Sequence, residues 1–223
     1  MTGCTDPAAY EAWYGTARGR WIAARELVLM LRLAGLRPGE RLLDAGCGTG
    51  HFSRAFAASG LEVTGLDPDA RALAYARRLG GHVRYVVGDM RAPPFAPGRF
   101  DHVAAVTSLC FVERPAEALA ALWPLARRTL VLGLLHRRSL LYLRKRGRGG
   151  YAGARWDTRA EALAWLRTLR PAPARVRWGT AVLLPGGGPL AHLAERLLGG
   201  LLPWGGFLAV AAYRPDPERT PKA

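Results

Sequence analysis

The feature that most limits what this chain can become is the run Leu42-Leu43-Asp44-Ala45-Gly46-Cys47-Gly48-Thr49-Gly50, an apolar stretch that opens into three alternate glycines. Glycine adopts backbone conformations other residues avoid and brings no side chain, so such a turn lets a ligand approach the main chain closely. The apolar residues before it read as a strand, and 51–59 after it as a helix closed by Gly60. A strand, a glycine turn and a helix in this order begin an α/β fold, whose ligands sit at the carboxyl ends of the strands.

The rest of the chain repeats the alternation. Further strands are predicted at 61–66, 82–87, 100–106, 129–135, 176–184 and 207–213, and helices at 10–34, 70–79, 115–127, 158–169 and 190–198. Gly35, Gly80-Gly81 and Pro171 stop helices, while Pro93, Pro94, Pro97 and Gly98 mark a loop. Thr158 followed by Glu161 predicts a capping box. The strand interiors are near-continuous Val, Leu and Ala, as in a parallel sheet covered on both faces. The apolar stretch 196–214 is broken by Gly199-Gly200, Pro203 and Gly205-Gly206, so it reads as helix end, turn and strand rather than a membrane span.

With 223 residues, half of them apolar, the chain suits a single domain over 1–215. Within it, 1–35 would form a helical cap and 136–156 an acceptor-side insertion, with 216–223 as a flexible tail. The net charge of +15 is almost all arginine, since Lys145 and Lys222 are the only lysines. Such charge suits nucleic acid, an anionic membrane surface or an acidic substrate, and equally suits arginines scattered over solvated helix faces. Cys4, Cys47 and Cys110 are too few for a disulfide framework and lack metal-ligand spacing, so no metal and a reducing cytoplasm are expected. Segment 1–7 has neither a basic region nor an apolar run, so no signal peptide is expected.

The chemistry is concentrated at strand ends. Asp44 stands before the glycine turn, Asp67 ends the second strand and Asp89 ends the third, so one ligand could touch all three. A dinucleotide fingerprint needs a third glycine where this chain has His51, and Asp44 would repel a phosphate. S-adenosylmethionine has no phosphate and carries a sulfonium and an ammonium, which carboxylates favour.

This pattern resembles the class I S-adenosylmethionine-dependent methyltransferases, and more narrowly their type 11, small-molecule family. The resemblance implies a Rossmann-like sheet of seven strands in the order 3-2-1-4-5-7-6, the last antiparallel. It implies that Asp44 holds the methionine end, that Gly46, Cys47, Gly48 and Gly50 form the turn, and that Asp67 grips the ribose hydroxyls. Asp89 would accept from the adenine amino group, Met90 would wall the adenine, and Thr107 would lie beside the methionine moiety. Tyr14 would line the site and Arg20 would pair with the methionine carboxylate. The alternative is that Trp13 and Trp21 pack the helix and Arg20 is solvated. The family's Pro-Gly-Gly turn before the fifth strand is replaced by Ala126-Arg127-Arg128-Thr129.

The implied reaction is in-line methyl transfer to a small-molecule acceptor, for which the protein supplies alignment and excludes water. A base is needed only for a poorly nucleophilic acceptor, and His136 and Tyr14 are the candidates. His51 would cap or line the site, whereas His82, His102 and His192 read as structural. Cys110 reads as a small buried residue rather than a nucleophile. The basic stretch 137–148 keeps an RNA-modifying methyltransferase open, or attraction of an anionic small molecule. A non-catalytic cofactor-binding or interaction protein is a third reading.

Overall fold

The structure is a computed structural model describing residues 6–200 and 202–215; Cys4 and the tail expected at 216–223 lie outside the described residues. The strands are β1 (Arg41–Ala45), β2 (Glu62–Asp67), β3 (Arg84–Val87), β4 (Phe100–Val106), β5 (Ala126–Leu135), β6 (Arg175–Ala181) and β7 (Phe207–Tyr213). They form one sheet in the order β3-β2-β1-β4-β5-β7-β6. Neighbours from β3 to β5 run parallel, and β7 runs antiparallel to both β5 and β6. The sheet is therefore the Rossmann-like one expected, with its last strand reversed.

Successive strand residues point to opposite faces, and β1 divides its leucines accordingly. Leu42 joins a core that helices α2 (Ala17–Ala34) and α3 (His51–Ala58) cover with Ile22, Met30 and Phe56. Leu43 joins the opposite core, where α5 (Pro115–Leu122) and α7 (Arg159–Arg167) supply Leu119, Leu122 and Leu166. Full burial of each such side chain contributes about 1.5–3 kcal/mol. Helix α4 (Ala70–Arg78) covers β2 and β3 through Leu73 and Ala76, packed on Tyr85. The capping box predicted at Thr158 and Glu161 is present in both directions and opens α7.

The helix expected over 10–34 is two helices, α1 (Pro7–Gly15) and α2. Thr16 breaks it: its hydroxyl donates to the Trp13 carbonyl at 2.7 Å and accepts from the Gly19 amide at 2.9 Å. A threonine side chain that bonds neighbouring backbone groups ends one helix and caps the next. The helix expected over 115–127 stops at Leu122, and Trp123–Leu125 forms a single tight turn around Pro124. The segment in place of Pro-Gly-Gly is thus already strand. The third strand starts at Arg84 rather than 82, because Gly80, Gly81 and His82 all turn through positive φ. The sixth stops at Ala181, because Val182 turns to φ 66°. Within the basic stretch, Ser139 caps a short helix α6 (Leu140–Lys145). Helix α8 (Pro189–Leu198) precedes β7.

Candidate functional site

Every predicted cofactor residue of the sheet falls at the carboxyl end of β1, β2, β3 or β4. The glycine turn closes on β2: the amides of Gly46 and Cys47 both donate to the Leu66 carbonyl, at 2.7 and 3.1 Å. Gly46 has φ 75°, and a Cβ there would come within 2.6 Å of the Ser108 and Met90 side chains. Gly48 also has positive φ, but a Cβ there would meet nothing within 4 Å, so the turn leaves open space on that side. The Gly48 amide donates to Asp67 at 2.8 Å, and the other Asp67 oxygen accepts from the Asp69 amide at 2.9 Å. Asp67 is thereby held beside the turn, its carboxyl raised by burial against the pull of those two amides.

Asp44 is almost fully buried, and among the described residues its one side-chain partner is Ser53, which donates at 2.6 Å. Burial pushes its carboxyl up to about 7, partly offset by Ser53 and reinforced by the charge of Asp67. Among the described residues no Lys or Arg pairs with either acid. Two carboxylates turned toward a glycine turn without a protein cation suit a ligand that brings positive charge and no phosphate.

Thr107 follows β4 with φ 46°, a conformation rare for a β-branched residue. Its amide donates to the Gly133 carbonyl at 2.7 Å and its carbonyl accepts from the Cys110 thiol at 3.1 Å. Met90 is buried against Gly46. Asp89 is half-exposed and bonded by both carboxylate oxygens to Arg91, which holds its carboxyl below the usual range.

The N-terminal helix is tied to the turn by Glu11, a residue given no role by sequence reasoning. Glu11 accepts from the Thr49 hydroxyl and from Arg54, at 2.5 and 2.8 Å, and lies 3.8 Å from His51. Burial raises its carboxyl, but hydrogen bonds from His51, Thr49 and Arg54 outweigh burial and leave it lowered. One turn on, buried Tyr14 stacks on His51 with centroids 3.5 Å apart, and its hydroxyl lies 3.1 Å from that of Tyr10. The only sequence signal was a Glu four residues before Trp13-Tyr14's neighbour Gly15, which does not announce a tertiary latch. Arg20 is exposed and donates to the Gly15 carbonyl, closing the α1–α2 corner.

Beyond β5 the chain adds a second set of groups. His136 is buried, with Nδ1 2.9 Å from the Gly205 carbonyl. A carbonyl only accepts, so Nδ1 carries the hydrogen and Nε2 keeps its lone pair. Burial lowers the basicity of the ring, which keeps it neutral near pH 7. Backbone bonds tie β5 and His136 to Asp157, and Arg155 staples this segment to the loop after β4 through the carbonyls of Leu109 and Val112. Cys110, Leu135, Leu141 and Trp156 form a small core there, flanked by Tyr142 and Tyr151. The Cys110 thiol is pushed up to about 12 by burial, so it stays protonated. Tyr14 likewise stays a neutral phenol, because burial raises it well above its usual value. His102 is structural: its ring bridges Thr129 and Glu40 at 2.6 and 2.8 Å. His192 stacks on Trp21. Among the described residues no cluster of His, Cys, Asp or Glu could hold a metal.

Comparison with known proteins agrees with this geometry. Residues 43–129 match the family model described as a methyltransferase domain. An uncharacterised protein of Mycobacterium tuberculosis is 39% identical over 167 residues, covering 70% of this chain and 55% of its own length. A malonyl-[acyl-carrier protein] O-methyltransferase of Pectobacterium atrosepticum is 39% identical over 99 residues, 43% of this chain and 39% of that protein. The chain thus spans about half the length, or less, of these curated relatives. A solved S-adenosylmethionine-dependent methyltransferase from Thermotoga maritima superposes with a TM-score of 0.71 at 21% identity, over 93% of this chain and 96% of that one. Family match, sheet order and the carboxylates about the glycine turn agree: residues 43–129 carry a methyltransferase domain, set in a sheet ordered as in the class I S-adenosylmethionine-dependent methyltransferases.

Proposed function

We propose that this protein transfers a methyl group from S-adenosylmethionine to a small-molecule acceptor held between the glycine turn and segment 136–156. The observation that carries the reading is the pair of buried Asp44 and partly buried Asp67, which stand beside the turn without a protein cation among the described residues. When bound, S-adenosylmethionine supplies a methyl group already activated on sulfur. Asp44 answers the positive charge of the methionine end, and Asp67 takes the ribose hydroxyls. Met90 and Asp89 border the adenine, with Asp89 needing to turn from Arg91 to receive the amino group. Thr107 offers its strained backbone beside the methionine moiety. Glu11 and Tyr14 close α1 over the turn, which excludes water. Arg20 reaches the methionine carboxylate only by leaving the Gly15 carbonyl.

On the acceptor side His136 is the better base of the two candidates. It is neutral with Nε2 available, whereas Tyr14 holds its proton too tightly to take part as a phenolate. Titration calorimetry with S-adenosylmethionine tests the reading, followed by a screen for S-adenosylhomocysteine release with candidate acceptors. Absence of binding by the wild-type protein would sink it. The RNA-modifying alternative rests on 137–148, but Arg137 is bonded to Glu161 and Arg146 to Tyr142, while Leu140 and Leu143 stand exposed among the arginines. That mixture suits an apolar surface better than a phosphate track, and steeply salt-dependent binding of a transfer RNA would restore the RNA reading.

A further inference from the structure

Glu26 is an acid in the middle of a helix face that is otherwise core. Its neighbours on that face, at i−4, i−3, i+3 and i+4, are Ile22, Ala23, Leu29 and Met30, and all four are buried. Glu26 itself is only partly buried, and the four residues flanking it share one core with Tyr14. Among the described residues it accepts no hydrogen bond and pairs with no cation. Its charge adds to burial in holding the phenols of Tyr14 and Tyr151 protonated, which sets it within electrostatic reach of both. Tyr14 belongs to the cap over the glycine turn and Tyr151 to segment 136–156. Glu26 therefore lies near groups of both the cap over the glycine turn and segment 136–156, with no partner among the described residues.

We propose that Glu26 is the counter-charge for the methyl acceptor, and that the acceptor is an amine presented as its ammonium ion on an apolar or aromatic body. A carboxylate with only apolar neighbours on its own face is destabilised until a cation joins it, and an ammonium that reaches a tyrosine ring gains cation–π attraction as well. Burial alone pushes the Glu26 carboxyl up to about 8, as expected for a group awaiting such a partner. The proposal rests on the methyltransferase reading above, and the two are separated by using S-adenosylhomocysteine as one ligand and amines as the other.

Titration calorimetry of the S-adenosylhomocysteine-loaded protein with butylamine, phenethylamine, tryptamine and spermidine is the test. At least one amine should bind, and Glu26→Gln should weaken it at least tenfold while S-adenosylhomocysteine affinity changes less than twofold. The variant should melt no lower than wild type, which separates lost recognition from lost folding. Binding of S-adenosylhomocysteine with no amine bound overturns the proposal but leaves the methyltransferase reading intact. So does equal amine affinity in the variant, or equal binding of the uncharged 3-ethylindole and tryptamine. A loss of S-adenosylhomocysteine affinity in Glu26→Gln would assign the residue to the cofactor instead.

Helix α8 is anchored through an inward acid of its own. Its inward face carries Ala191 and Glu195, and the Glu195 carboxylate accepts from the amides of Val182 and Leu183 at 3.0 and 2.9 Å. That anchor turns the leucine stripe Leu190, Leu193 and Leu197 outward, with Leu190 76% exposed. Exposed Trp204 joins Leu140, Leu143, Leu184 and Leu202 around a groove of about 530 Å³ that also includes Arg138. The sequence has no acidic residue from 118 to 156, and from 183 to 215 only the inward Glu195. Arg138, Arg144, Arg146 and Arg148 are all exposed. We infer that this face docks on an anionic lipid bilayer, the leucines and Trp204 entering the interface and the arginines meeting headgroups. A second copy would bring the same positive charge and be repelled.

Vesicle sedimentation tests this. The protein should pellet with 70:30 phosphatidylcholine–phosphatidylglycerol vesicles, at least tenfold less with phosphatidylcholine alone, and progressively less as salt is raised. Replacing Leu190, Leu193 and Leu197 together by Ser should abolish pelleting without lowering the melting temperature. No pelleting, or undiminished pelleting of the triple variant, overturns the inference; capture on an acidic protein without pelleting would assign the face to a protein partner.

Discussion

Replacing Asp44 with Asn should stabilise the cofactor-free protein while disabling its cofactor site. Burial raises the Asp44 carboxyl from 3.8 to about 7. Between those values the folded protein holds a proton that the unfolded chain has released. Ionisation of Asp44 in the fold therefore drains stability as pH rises through that window, and the loss is complete above pH 7. At about 1.4 kcal/mol per pH unit the cost reaches about 4 kcal/mol. Asn avoids the charge and still accepts from Ser53, but its amide brings unmet donors worth about 1–3 kcal/mol. The net gain is about 2 kcal/mol, or roughly 4–8 °C in melting temperature for a chain of this length. Scanning calorimetry at pH 8 and pH 5 measures it, since the advantage should shrink markedly at the lower pH. Titration with S-adenosylmethionine should show at least a tenfold loss in the same variant. An Asn variant that melts lower at pH 8, or whose advantage is the same at pH 5, would refute the claim that Asp44 is an uncompensated buried acid.

Asp67→Ala should weaken S-adenosylmethionine by about 1.5–3 kcal/mol for each charge-assisted bond lost, read by calorimetry, and unchanged affinity would remove Asp67 from the ribose. Cofactor affinity in the wild type should fall as pH drops below 7, by up to tenfold per unit, because binding must then expel the proton from Asp44; a flat profile from pH 6 to 8 would contradict this. Glu11→Ala should speed amide hydrogen exchange across α1 by freeing it from Thr49 and Arg54, and unaltered exchange would show that the helix is held otherwise. Cys110→Ala should retain methyl transfer within a few fold, since a thiol pushed up to about 12 supplies no thiolate; loss of turnover in a folded variant would return Cys110 to the chemistry.

What could be read in the sequence was governed by range. The glycine turn, β4 and β7 follow from local patterns, and they stand where they were predicted. The break at Thr16 was also local, but its signal was masked: a threonine inside a helical period becomes a stop only when Gly19 and Trp13 are near enough to bond it. Strand ends shifted by two or three residues where positive φ entered, at His82 and Val182, neither of which is glycine. Val182 turns because Glu195, thirteen residues on, holds its amide, and no periodicity encodes that.

The acids divide along the same line. Asp44, Asp67 and Asp89 could be grouped from the sequence because each lies within two residues of the carboxyl end of a strand, and strand ends of a parallel sheet converge. Glu11, Glu26 and Glu195 lie on helices, where a glutamate ordinarily means a solvated face, so their sequence positions carried no warning. Yet each is turned inward, Glu195 onto two backbone amides, Glu11 onto Thr49 and Arg54, and Glu26 onto nothing. Two of the three are answered within the protein and stabilise it. Glu26 has no answer among the described residues and Asp44 only the neutral Ser53 hydroxyl, so on the proposals made here a bound ligand completes the electrostatics at both.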